Sequence, residues 1–179
     1  MHISAMEEYG LRCILQLAKL SQEGPVSASE VAEKEGISVE YVSKFMHLFK
    51  KSGLVVATRG VQGGFRLAQD PSLTALKQIF DSLKPKADAC GGVDSEKGFC
   101  DQFAGKNQTC VHIQGCSVRP FWSVLSYYFD EVTKNLTLKD LLLSEVDAQK
   151  KIELLVDDKV SDLKKAFFKT ESQSSAPRV

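Results

Sequence analysis

The chain has no apolar run approaching the ~18 residues that a transmembrane helix needs. Its opening residues, MHISAMEEYG, lack the basic start and apolar core of a secretory signal. A cytoplasmic chain with no membrane partner is the expectation. There is no net charge either, because 23 basic residues balance 23 acidic ones. A global field therefore advertises no partner, although phosphate contacts need only a local basic patch. Histidine is scarce, at three residues. No nucleotide-binding glycine loop and no nucleophile–base pair can be found, so no enzyme is expected. No internal repeat occurs.

Cysteine is what the chain concentrates. Of five cysteines, Cys90, Cys100, Cys110 and Cys116 fall in one stretch, and only Cys13 lies elsewhere. In a reducing compartment such clusters are more often metal ligands or redox sensors than disulfides. The spacing Cys100-x9-Cys110-x5-Cys116 has no Cys-x-x-Cys pair, unlike zinc fingers and ribbons. It also departs from both ferredoxin spacings. Spacing alone leaves a soft-metal site, redox thiols and inert residues all open. Cys13 shares a stripe with Tyr9, Leu17 and Leu20 in the first amphipathic helix and reads as a small core residue.

The segments after that helix follow a recognisable order. Gly24–Pro25 breaks the chain, and Ser27–Glu30 fits a capping box opening a short second helix that stops at Gly36. Ser38 caps a third helix running to about Ser52. LVVAT (54–58) and FRLA (65–68) read as strands around the turn RGVQGG. A short helix, a glycine turn, a second helix and a hairpin make a winged helix-turn-helix. SLTALKQIFDSL (72–83) predicts another helix. Beyond the cysteine loop, SVRPFWSVLSYYFDEVTKNL predicts a long helix with Pro120 in its first turn. Thr137 and Asp140 fit a cap for a short helix. Residues 147–168 form a last amphipathic helix, with Ile152, Leu155, Val156, Val160, Leu163 and Phe167 on one face. The polar end, KTESQSSAPRV, is expected to be disordered.

Between Lys44 and Arg66 lie five basic residues, Lys44, Lys50, Lys51, Arg59 and Arg66, and no acid. They suit a phosphate-binding stripe, or an ordinary solvated face. The N-terminal part of the third helix offers Ser38, Glu40, Tyr41 and Ser43, types that can meet base edges or phosphate. Capping and solvation are their plain alternatives. Arg59 at the hairpin tip suits a narrow minor groove. Gly63 and Gly64 let the turn lie close to a backbone.

These motifs carry a resemblance. YGLRCILQLAKL, ISVEYVSKFMHLFKKSGLV and RGVQGGFRLAQDPS, with the Cys-x5-Cys step before Trp122 and the closing LTLKDLL, resemble the bacterial winged helix-turn-helix iron–sulfur regulators of the IscR, NsrR and RirA type. The likeness spans roughly residues 1–146. It implies a mainly α fold with a small β-hairpin wing and a long dimerisation helix. Four regions follow: a DNA-binding domain (1–83), a cluster-binding loop (84–116), the dimerisation helix with a short closing helix (117–146), and a helical extension with its tail (147–179). It implies a homodimer on a pseudo-palindromic double-stranded operator. By matching position, Ser38, Glu40, Tyr41 and Ser43 would read bases, and Arg59 would enter the minor groove. Ser43 departs from the acid or amide common in relatives.

The resemblance also implies a two-iron or four-iron cluster held by Cys100, Cys110 and Cys116, with Cys90 as the alternative first ligand. Glu8 stands where some members supply a fourth ligand from the partner subunit. Others use a histidine where this chain has Arg119, and His112 is a weaker candidate. DNA binding would then respond to iron, redox or nitric oxide status. A cluster-free thiol-redox regulator and a zinc-stabilised interaction module are the alternatives.

Overall fold

The computed structural model describes residues 3–22, 24–60, 63–84, 112 and 115–168, with side chains through 161. Cys90, Cys100, Cys110, the side chains of Leu163 and Phe167, and the polar tail lie outside the described residues. Each helix start is written in a local cap. α1 (Ala5–Leu20) opens on a capping box in which Ser4 and Glu7 satisfy each other's neighbouring backbone amides. α2 (Ala28–Glu35) opens on the expected Ser27–Glu30 box and ends at Gly36, whose φ of +67° is the left-handed stop. Ser38 caps α3 (Val39–Lys51), its hydroxyl accepting the Tyr41 amide at 3.2 Å.

The wing follows as β1 (Val55–Thr58) and β2 (Gly64–Leu67), antiparallel, with Val55 opposite Leu67 and Thr58 opposite Gly64. Val26, between α1 and α2, adds a third rung. Its amide donates to the Phe65 carbonyl at 2.8 Å and its carbonyl accepts from the Phe65 amide at 2.7 Å. The hairpin is therefore tied to the helices rather than hanging from α3.

One expected helix is shorter than its sequence suggests. Residues 72–83 were expected to be continuous, but Pro71–Leu73 form a 3-10 turn and α4 runs from Leu76 to Leu83. The reason is tertiary. Thr74 is extended, and its carbonyl accepts the Leu138 amide at 2.8 Å, while the Leu76 amide donates to the Leu136 carbonyl at 2.9 Å. This pairing ties the start of α4 to the end of α5 (Val118–Asn135). The short α6 (Leu138–Leu141) has the expected Thr137–Asp140 capping box. α7 (Glu145–Phe168) begins two residues before the expected Asp147, because Ser144 Oγ accepts the Asp147 amide at 3.2 Å.

The core collects apolar faces from both ends of the chain. Cys13, Ile14 and Leu17 from α1 meet Val42, Phe45, Met46 and Phe49 from α3, with Ile79 from α4 and Leu138 from α6. Gly10 lies where α1 meets α4; a Cβ there would come within 2.6 Å of Leu83. α5 is covered along its C-terminal half only. Phe80 packs on Phe129 (centroids 5.4 Å apart), and Lys77 Nζ lies 2.9 Å from the Asp130 carboxylate. Tyr128 donates its hydroxyl to the Val156 carbonyl of α7 at 3.2 Å. No helix among the described residues is long and apolar enough to cross a membrane.

Candidate nucleic-acid interface and cysteine site

α3 divides into two faces. Val42, Phe45, Met46 and Phe49 are buried. Glu40, Ser43, Lys44, His47, Lys50 and Lys51 are exposed. Steps of three and four residues place Glu40, Lys44, His47 and Lys51 on one outward stripe. Ser38 sits exposed at its N-terminal end. The cap occupies its oxygen as an acceptor and leaves its O–H free to donate. Lys50 and Lys51 stand in the last turn, where positive charge also complements the helix dipole. His47 joins this stripe by its i+3 and i+7 spacing from Lys44 and Glu40.

Tyr41 is half-buried rather than fully presented. Its ring meets Tyr9 edge-on, with centroids 5.9 Å apart, and Phe45 at 4.6 Å. Phe45 in turn stacks on Phe49 at 6.4 Å. Tyr9 is held from its other side by Arg12, whose guanidinium carbon lies 5.6 Å from the ring centroid. Arg12 Nε is fixed by the Glu35 carboxylate at 2.8 Å. The aromatic body of Tyr41 thus anchors the start of α3 to α1. Sequence spacing alone did not reveal that second duty.

At the wing, Arg59 is exposed at the tip, next to Thr58 at the end of β1. Arg66 is exposed on β2, opposite Val56. Gly63 and Gly64 have packing reasons of their own. A Cβ at Gly63 would lie 2.4 Å from the Thr58 carbonyl oxygen, and one at Gly64 2.6 Å from that of Val26. The hairpin closes only around residues without side chains at these two places.

The cysteine site is described in part. Cys116 is free, half-buried and two residues ahead of α5. His112 is exposed, and its carbonyl accepts from the Gly115 amide and from Arg119, each at 3.2 Å. Glu8 is exposed in the first turn of α1. Its neighbour Glu7 is engaged by Ser4, so Glu8 is the carboxylate left to face outward. Among the described residues, no three of His, Cys, Asp and Glu come together as a metal site. Cys13 is fully buried, and burial, with the Glu35 charge adding to it, pushes its thiol from 9.0 up to about 12. It stays protonated and takes no part in thiolate chemistry.

Comparison with known proteins gives this geometry a context. A family model described as Rrf2, iron-dependent transcriptional regulator, matches residues 3–144. The HTH-type transcriptional regulator IscR of Vibrio cholerae serotype O1 is 28% identical over 167 residues, covering 90% of this chain and 88% of the relative. IscR of Yersinia enterocolitica is 27% identical over 144 residues, 79% of each chain. Among solved structures, T. potens IscR superposes with a TM-score of 0.60 at 27% identity, covering 79% of this chain and 86% of that one. CymR, the global cysteine regulator of B. subtilis, gives a TM-score of 0.56 at 24% identity over 79% of this chain and 96% of its own. At that identity CymR bears on the fold alone.

Proposed function

The chain belongs to the Rrf2 family of transcriptional regulators, and from that premise we propose that it is a homodimer reading a pseudo-palindromic operator under the control of an iron–sulfur cluster. One observation carries the DNA-reading part. The exposed, mostly basic stripe of α3 and Arg59 at the wing tip sit on one tied unit, joined through Phe65 and Val26. Ser38, Glu40, Ser43 and the edge of Tyr41 would meet bases; Lys44, Lys50 and Lys51 would meet phosphates; Arg59 would enter the minor groove. Dimerisation is supported by the first half of α5. Val118, Phe121, Trp122 and Leu125, spaced i, i+3, i+4 and i+7, form an exposed apolar stripe.

Cys100, Cys110 and Cys116 would hold the cluster, with Cys90 as the alternative first ligand and Glu8 of the partner subunit completing the set. The donors fit that group: cysteine sulfur suits iron–sulfur centres, and Cys116, the one assigned ligand among the described cysteines, is free and lies just ahead of α5. Such a cluster would supply a one-electron, iron-dependent centre. The chain's own residues then convert its state into operator affinity by fixing the distance between two reading heads.

Two measurements test the reading. Fluorescence anisotropy with operator DNA selected from a random library should give a steep salt dependence, with the slope lowered by about one for Lys50→Ala. Arg59→Ala should weaken binding by about 1–3 kcal/mol at A·T-rich flanks. Equal binding by the wild type and both variants would remove the assigned DNA contacts. Protein purified without oxygen should be brown, with matched iron and sulfide. A colourless preparation that stays so after reconstitution would leave the thiol-redox regulator in place of the cluster.

A further inference from the structure

A cleft of about 730 Å³ lies beside the reading helix, between the start of α1, the edge of α3 and the end of α4. Its size is within the range of small-molecule sites, roughly 300–1,000 Å³. Its floor is apolar, made by Met6, Leu48 and Leu83, all buried or half-buried. Its rim carries Lys44 and Lys51, seven residues apart and so about two turns along one edge of α3. Neither lysine makes an ion pair among the described residues.

The acids in the cleft do not neutralise them. Asp81 is held by Lys84 at 2.7 Å and by Lys77 at 3.3 Å. Glu7 is turned to its own N-cap, accepting from the Ser4 amide at 2.9 Å and the Ser4 hydroxyl at 2.8 Å. Among the described residues, two uncompensated ammonium groups therefore stand over an apolar floor. That pairing is complementary to one kind of ligand, an anionic head on an apolar body. Inorganic phosphate lacks the body, and an alkane or alcohol lacks the head.

We propose that this cleft is an effector site for a small amphipathic carboxylate, and that its occupant competes with DNA for Lys44 and Lys51. The competition rests on the reading of those lysines as phosphate contacts; the cleft itself does not. An occupied cleft neutralises both ammonium groups and lowers operator affinity. It gives the regulator a second input.

Calorimetric titration of the full-length protein with decanoate, decanol and inorganic phosphate tests the site. Decanoate should bind saturably, one per protomer, at least tenfold tighter than either comparator. Lys44→Gln/Lys51→Gln should weaken decanoate at least tenfold, and Met6→Gln, which removes floor but no charge, should weaken it while leaving DNA affinity unchanged. Equal binding of decanoate and decanol, no binding at all, or unaltered binding by the double lysine variant would overturn the site. Saturating decanoate should also displace labelled operator DNA from the wild type. Decanoate binding that is sensitive to the lysines but displaces no DNA would overturn the competition, and would also place the fault in the phosphate assignment if the lysine variants bind DNA normally.

Discussion

Individual side chains here are decided by what surrounds them more than by their type. Cys13 is a thiol in a regulator rich in thiols, yet burial pushes its pKa up to about 12. A native chain treated with iodoacetamide at neutral pH should leave Cys13 unmodified while Cys116 reacts; early labelling of Cys13 would contradict its burial. The sign of the pH effect follows. The folded value lies above the ordinary 9.0, so the stability tied to the neutral thiol is intact below about pH 9. It is lost progressively as pH rises towards the folded value. Cys13→Ala should flatten that alkaline loss, as read from melting temperatures between about pH 8 and pH 11. Gly64 is decided by the Val26 backbone. Gly64→Ala brings a Cβ within 2.6 Å of the Val26 carbonyl oxygen and should cost about 1–3 kcal/mol in urea unfolding. It should also reduce DNA affinity, because the wing loses its third rung.

Among the elements, the short α6 is held by charge as well as by its cap. Its cap residue Asp140 is buried, which by itself would raise the carboxyl pKa. Hydrogen bonds from Lys151 of α7 and from Thr137 outweigh that and hold it below the ordinary 3.8. The carboxylate therefore adds stability that is present above the unfolded value, about 3.9, and is lost as pH falls through the folded one. Asp140→Asn keeps a capping acceptor and removes the charge. It should lose about 1 kcal/mol at pH 7, and its melting temperature should vary less than the wild type's below about pH 4. The elements were legible where their ends are chemical. Ser27 with Glu30, Gly36, Ser38, and Thr137 with Asp140 each announce a boundary through one or two side chains. The equivalent signal at Ser4 and Glu7 was also in the sequence, inside a helix whose N-terminal cap went unread. What stayed illegible depends on distant partners. A lone bridging residue such as Val26 has no periodicity. Thr74 reads as helix until Leu138 takes its carbonyl. Tyr41 reads as a reader of DNA, and only contact with Tyr9 reveals the anchor. The cysteine spacing fits no common metal motif, so the candidate site was legible by resemblance more than by pattern.

For the whole molecule the open question on the surface is α5. Phe121 and Trp122 are 57% and 38% exposed, whereas Tyr128 and Phe129, further along the helix, are half-buried against α7 and α4. If the proposed dimer forms through this stripe, Phe121→Ser/Trp122→Ser should shift sedimentation from dimer to monomer while leaving the helical circular dichroism unchanged. It should also reduce affinity for a two-half-site operator far more than for a single half-site. A double variant that remains dimeric would move the interface elsewhere. The 18-residue α5 is about 27 Å long, and its far end is fastened by two hydrogen bonds, Leu76 to Leu136 and Leu138 to Thr74. Those two bonds, with Phe80 against Phe129 and Lys77 beside Asp130, seat that end of α5 on α4. Because Ile79 and Leu83 of α4 also lie in the core with α1 and α3, the lever arm of α5 has its fulcrum in the helical core and not in a loop.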